Sequence, residues 1–127
     1  MHHLRCLLGD TVIHAVLQDT PATRDLLALL PLDLPLTDFA ATEKIADLPS
    51  PLSTRDAPSG YQPRAGDIAY YIPWGNLAIF YRDGGYARGL VALGRITEGI
   101  EWIHGSKVKS LSIERAHNEQ GHAISCT

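Results

Sequence analysis

The side chains with most to offer chemically are Glu43, next to Lys44, and a run of aromatics with an arginine behind it: Tyr70, Tyr71, Trp74, Phe80, Tyr81, Tyr86 and Arg88. Six of the chain's nine aromatics fall between Tyr70 and Tyr86. Tyrosine and tryptophan pair a large apolar body with one polar handle, which suits them to floor a groove for a peptide segment or a small apolar ligand. Neighbouring residues on a strand point to opposite faces. One member of each pair Tyr70/Tyr71 and Phe80/Tyr81 therefore fills a core, and the other is free to join Trp74 and Tyr86 at such a groove. The competing reading is plain core filling with cross-strand aromatic pairs. The same alternation separates Glu43 from Lys44 and argues against a catalytic pair. The plain expectation is that one is solvated and the other makes a surface contact. An inward Glu43 would need a partner from Arg24, Arg88 or a tyrosine hydroxyl, and such a buried pair would mark a site. The candidate ligand-binding residues are Glu43, Tyr70, Trp74, Asn76, Tyr81, Tyr86 and Arg88, and no catalytic residue is assigned.

Other chemistries lack their residues. The histidines are His2, His3, His14, His104, His117 and His122; those at 117 and 122 share the C-terminal tail with Cys126, but their spacing matches no zinc arrangement. No metal and no cofactor are expected. There is no Gly-x-Ser-x-Gly, and Ser59 and Ser125 sit in loop or tail with no recognisable base. Gly84-Gly85 is followed by Tyr86-Ala87-Arg88-Gly89, which neither continues a dinucleotide fingerprint nor opens a helix.

Bulk properties narrow the partners. With 127 residues the chain has an ordinary single-domain size and can bury a sizeable core without disulfides or metal. Lys plus Arg is 11 against 14 for Asp plus Glu, a net charge of −3, so no positive field draws the molecule to nucleic acid or anionic lipid. At 45% hydrophobic and 20% charged, it has the composition of a folded globular protein. No apolar run reaches the ~20 residues of a membrane helix, and Gly9-Asp10 interrupts the first apolar segment before a signal-peptide core forms. A cytoplasmic location is expected, with Cys6 and Cys126 as free thiols. Oligomeric state is not readable.

The elements that must position these residues are mostly strands. Leu4 to Leu8 and Thr11 to Leu17 flank Gly9-Asp10, which suits a type II′ hairpin. Asp19-Thr20-Pro21 is a helix start, and Ala22, Leu26, Leu29 and Leu30, with Leu27, form an apolar stripe that Pro31 ends. Asp33 to Phe39 and Glu43 to Leu48 read as short strands. Leu48 to Gly66 holds four of the eight prolines, and is expected to be a binding loop or a flexible flap rather than a regular element. The strongest strand pattern is the hairpin Asp67 to Arg82, DIAYYIPWGNLAIFYR, which turns at Pro73-Trp74-Gly75-Asn76. A glycine-bracketed loop with Tyr86 and Arg88 leads to a strand at Leu90 to Ile96. Thr97-Glu98-Gly99 opens a helical turn through Ile103, Gly105-Ser106 turns the chain, and Lys107 to Glu114 forms the last strand. Residues 1–114 are one domain, and 115–127 a polar tail. About eight short strands with one helix and one helical turn point to a closed antiparallel barrel with capped ends.

Several segments resemble known sequences. Gly94 to Ile103, GRITEGIEWI, looks like the cyclophilin segment in which a strand ends in a phenylalanine-glycine pair before the second helix, with Leu93 replacing the phenylalanine. TRDLLALLPL at Thr23 to Leu32, TEKIADLP at Thr42 to Pro49 and GDIAYYIPWGNLAIFYRD at Gly66 to Asp83 resemble a family of small prokaryotic cyclophilin-like proteins of unassigned function. This resemblance runs from about residue 4 to about residue 114 and implies a mainly β fold, a closed eight-stranded antiparallel cyclophilin-like barrel capped by one helix and one short helical turn. Active cyclophilins carry a third-strand arginine within a phenylalanine-histidine-arginine sequence, and a methionine-glutamine-glycine-glycine sequence in the next strand. Neither is present: Asp33 to Phe39 has no arginine. The expected function is therefore a non-catalytic binding module for a peptide or small ligand in an aromatic-lined cleft. The alternative is a peptidyl-prolyl cis-trans isomerase with a non-standard site that uses Arg24 or Arg88.

Overall fold

The computed structural model describes residues 1–103 and 109–116. Strands β1 (His2–Leu8) and β2 (Thr11–Leu17) form the first hairpin, with Leu8 opposite Thr11. Gly9 turns it at φ +59, the sign that the first position of a II′ turn demands and a side chain resists. Helix α1 (Pro21–Leu29) starts where the oxygen of Thr20 accepts from the N–H of Thr23 at 3.2 Å, and it buries Ala22, Leu26 and Leu27 against the barrel.

The remaining strands are β3 (Leu32–Pro35), β4 (Thr37–Phe39), β5 (Glu43–Asp47), β6 (Gly60–Tyr61), β7 (Asp67–Tyr71), β8 (Asn76–Phe80), β9 (Ala87–Arg88), β10 (Leu90–Glu98) and β11 (Ser110–Arg115). One antiparallel sheet has the order β3-β11-β1-β2-β10-β7-β8-β5-β4, and β6 and β9 pair separately. Only Leu36 separates the two outermost strands in sequence. The segment Leu32 to Phe39 thus pairs with β11 at its start and with β5 at its end, which draws the two edges of the sheet together into a nearly closed barrel.

The strand count differs from expectation: the sheet holds nine strands rather than eight. The single strand expected over Asp33 to Phe39 is divided. Pro35 has no N–H to carry the ladder onward, and the N–H of buried Leu36 instead reaches the carbonyl of Lys109 at 2.8 Å. The strand expected to end at Ile96 continues to Glu98 through two register shifts. One lies between Ala92 and Gly94 against β7 and the other between Ile96 and Glu98 against β2; at Gly94 an added Cβ would collide with the carbonyl oxygen of Val16, so only glycine lets β10 close on β2. The helical turn accordingly starts later, as a 3₁₀ turn over Ile100–Trp102. The expected turn at Gly105-Ser106, the start of the last strand at Lys107, and all of the tail beyond residue 116 lie outside the described residues.

Two hydrophobic clusters form. The larger fills the barrel with Ile13, Leu17, Leu26, Tyr70, Ile79, Leu93 and Ile113 among others. The smaller lies on the outer face, where Ala69, Ala78, Phe80 and Leu90 pack with Ile45, Tyr61, Tyr71 and Ala87. Strand β8 is consequently buried along its whole length. The excursion from Leu48 to Gly66 contains little regular structure but is tied down. Buried Leu52 donates its N–H to the Tyr70 hydroxyl at 3.3 Å, Ser53 donates to the Asp25 carboxylate at 2.7 Å, and Pro63 is buried.

Lys44 corrects the plain reading of the Glu43-Lys44 pair. Its side chain is only 3% exposed, with Nζ 3.3 Å from Asp38 Oδ1. Alternation along β5 puts Lys44 opposite Ile79, on the barrel side, and turns Glu43 outward.

Candidate functional site

On the outer face a cleft of about 460 Å³ opens over β5, β8 and β10. Its floor is Ile45, Asn76, Phe80 and Leu90; Phe39, Tyr71 and Trp74 form one rim, and Pro63, Asp83, Gly84, Gly85 and Ala87 the other. Trp74 comes from the turn after β7 and Asp83 to Gly85 from the connection between β8 and β9, while Phe39, Tyr71 and Ala87 are strand ends and Pro63 belongs to the excursion. The rims are fastened: Gly84 donates to the Pro63 carbonyl at 3.1 Å, and the Asp83 carboxylate accepts from the N–H of Ala65 at 2.9 Å. Trp74 stands edge-on to two rings, with centroids 5.2 Å from Phe39 and 5.3 Å from Tyr71. It is nonetheless 53% exposed, a large apolar surface held out at the mouth of the cleft.

Two polar groups distinguish this cleft. Asn76 is 2% exposed, and among the described residues its Oδ1 receives no hydrogen bond. Buried amide oxygens nearly always find a donor, so an orphan one in a residue that lines an open cleft is a costly feature that a polar occupant could relieve. Glu43 is half-buried at the other end, beside Phe80 in the ladder. Burial pushes its carboxyl above the usual range, and the nearby Asp38 charge adds to the effect. Among the described residues no hydrogen bond or ion pair engages that carboxylate. No lysine or arginine lines the cleft.

Behind Glu43, the turn joining β4 to β5 holds Ala40 and Ala41 at φ +56 and +52, a conformation that side chains resist. Asp38 secures it by accepting from the N–H of Ala41 at 3.2 Å. The same carboxylate receives the Tyr81 hydroxyl at 2.5 Å and faces Lys44, and the Tyr81 bond above all holds Asp38 below the ordinary carboxylate range.

Two other depressions are less equipped. One of about 290 Å³ lies between the start of α1 and the excursion, and one of about 570 Å³ runs beside Arg95; neither is lined by Trp74, Asn76 or Glu43.

Comparison with known proteins now has a geometry to refer to. Residues 7–114 match the model of the cyclophilin-like family. The chain belongs to that family. No curated protein matches. A similar fold is found in the solution structure of a hypothetical protein from Archaeoglobus fulgidus, 20% identical, covering 91% of this chain and 95% of that one at a TM-score of 0.64. At that identity the likeness is one of fold.

Within this cyclophilin-like barrel the candidate residues separate. Glu43, Trp74 and Asn76 share the outer cleft. Tyr70 points inward, with its hydroxyl under Leu52, and Tyr81 is engaged at the barrel mouth with Asp38. Tyr86 is 62% exposed, and it and exposed Arg88 stand apart from the lining. Arg24 is bound to Asp19 through two contacts of 3.1 Å. Phe39, Pro63, Tyr71 and Phe80 line the cleft without having been singled out for it. Phe39 comes from the split strand, whose partner the sequence does not disclose. Tyr71 and Phe80 each neighbour a tyrosine that was singled out, displaced by one residue.

No helix among the described residues is long and apolar enough to cross a membrane. Among the described residues no group of three or more His, Cys, Asp or Glu is placed to hold a metal, while His104, His117, His122 and Cys126 lie outside them.

Proposed function

We propose that this cyclophilin-like protein is a non-catalytic binding module whose outer cleft takes a small ligand or a short peptide segment. The observation that carries the reading is Asn76: a buried acceptor left without a donor beside a rim of exposed aromatics. Such a group is costly unless an occupant completes it. The cleft's volume falls within the ~300–1,000 Å³ typical of ligand pockets. Prolyl isomerisation is disfavoured because no cation faces the cleft to support a twisted amide in a water-poor groove.

Two measurements test this reading. Native mass spectrometry of freshly purified protein, with a fragment screen followed in ¹H–¹⁵N spectra, is expected to yield ligands that shift the Trp74 indole and Asn76 side-chain signals together. A proline-peptide isomerisation assay is expected to show background rates. A robust rate would replace this reading with a peptidyl-prolyl isomerase of non-standard site, and a screen whose hits all bind elsewhere would remove the cleft from consideration.

A further inference from the structure

The proposal of a binding cleft leaves open what it selects, and the following rests on that reading. We infer that the occupant is an extended organic cation, with a primary ammonium group at the Glu43 end of the cleft, an apolar middle, and a neutral N–H or O–H donor at the Asn76 end.

The charge of the cleft gives the sign. Its acidic lining residues are Glu43 and Asp83, with no lysine or arginine beside them. Lys44, the cation next to Glu43 in sequence, points to the opposite face and is bound to Asp38. An anionic ligand would meet carboxylates and no balancing donor. A half-buried carboxylate without a partner is expensive, and an ammonium, with three donors and no acceptor, completes it. The raised Glu43 carboxyl is consistent with an anion waiting for its counter-charge.

The strand register gives the length. Glu43 is opposite Phe80 and Asp47 opposite Asn76, so the two polar ends lie four ladder positions apart, about 13 Å between backbone positions. One ammonium cannot serve both. Between them the floor is apolar, with Ile45 midway and Phe80 beside Glu43, and the rings of Phe39 and Trp74 also line the cleft. Aromatic faces accept both an apolar body and a nearby cation. Asn76 lines that end and holds an unpaired acceptor just beneath the surface, which a donor at the far end of the ligand would complete once the amide turns toward it.

The test is a matched probe series against the full chain. Phenethylammonium, 2-phenylethanol and 3-phenylpropanoate share one body and differ in the headgroup, and tyramine adds a hydroxyl donor at the far end of phenethylammonium. Binding is followed at the Trp74 indole and Asn76 side-chain resonances. Phenethylammonium should bind about tenfold or more tightly than the alcohol, the carboxylate least, and tyramine best. Glu43→Gln should remove the ammonium preference while leaving the alcohol unchanged; Asn76→Leu should remove the gain of tyramine over phenethylammonium. Nα-acetyl-lysine methylamide presents the same ammonium on a peptide. Tighter binding than tyramine assigns the cation to a peptide side chain and weaker binding to a free amine, both in keeping with ammonium recognition. Equal binding of alcohol and ammonium at these resonances overturns the inference but leaves the cleft a binding site. Preference for the carboxylate, or no shift at either resonance from any probe at millimolar concentration, also overturns it. The native mass spectrometry and fragment screen judge the binding reading separately.

Discussion

Asn76→Leu is the substitution that asks most directly whether the cleft is kept at the expense of stability. The wild-type side chain is 2% exposed and its Oδ1 has no donor among the described residues. A buried polar group left unsatisfied costs about 1–3 kcal/mol. Leucine has the same number of side-chain heavy atoms but a larger volume, and it places apolar atoms where the cleft is lined by Tyr71 and Leu90. Its extra volume gives back part of this gain, about 1–2 kcal/mol in local repacking at a site that borders the open cleft. The net expectation is that the variant is between as stable as wild type and about 2 kcal/mol more stable, which in urea leaves the midpoint unchanged or moves it up by as much as roughly 1 M. Equilibrium urea unfolding followed by far-UV circular dichroism measures it, with equal slopes for both proteins as the check that the denatured states match. Asn76→Asp should go the other way by several kcal/mol, because it puts an unpaired charge at the same place. A leucine variant less stable than wild type by more than about 1 kcal/mol would refute the reasoning, since it would mean that the amide is already satisfied in the free protein.

Other expectations follow from the same accounting of partners. At the barrel mouth, Lys44 is 3% exposed while Asp38 is 42% exposed, so the two halves of their pair are not equivalent. Lys44→Met should leave stability within about 1 kcal/mol of wild type, whereas Asp38→Ala, which strands a buried ammonium, should cost about 2–3 kcal/mol; equal losses in chemical denaturation would contradict the burial asymmetry. Phe80→Ala should cost about 3 kcal/mol, the low end for a buried ring, because the space it vacates opens into the cleft and admits water; a loss under about 1 kcal/mol would place the ring outside the outer cluster. Cys6 is 3% exposed, and burial, helped by the Glu114 charge, pushes its thiol up to about 12 from 9.0. Folding therefore favours the neutral thiol, and this contribution is complete below pH 9 and is lost as pH rises toward 12. Iodoacetamide labelling of Cys6 in the native state at pH 8, read by peptide mass, should proceed only at the rate of unfolding.

Much of the scaffold could be read from the chain because its local patterns carry their own physical cause. Gly9-Asp10 between alternating runs makes a hairpin, Thr20-Pro21 starts a helix, and the Asp67 to Arg82 run turns at its only proline and glycine; each is set by residues within a few positions of one another. The split at Leu36 is different in kind. Its cause is that one short segment must satisfy β11 on one side and β5 on the other, partners that lie far from each other in sequence. The anchoring of the excursion is equally non-local, since Leu52 and Ser53 are held by Tyr70 and Asp25.

The division of the candidate residues between cleft and interior has one physical origin. A strand discloses its orientation by alternating apolar and polar residues only when one face meets water. In β8 every residue from Asn76 to Phe80 is buried, and in β7 the residues Ile68, Ala69 and Tyr70 are buried in succession, because the outer face carries its own small core. Both faces are then apolar, and the period of two that separates Tyr70 from Tyr71, and Phe80 from Tyr81, fixes their opposition without fixing which is outside. The register resolves it: Tyr70 stands opposite Leu77 in the barrel, Tyr71 opposite Asn76 on the outer face, and Glu43 opposite Phe80 on that same face. The same buried outer face explains why Asn76 could be singled out by its place in the turn but not by its chemistry. An asparagine after a glycine reads as turn-forming. Only when β8 is laid between Asp47 of β5 and Tyr71 of β7 and its outer face is covered does the buried amide become an acceptor with nothing to accept, and that property belongs to the assembled cleft rather than to the residue.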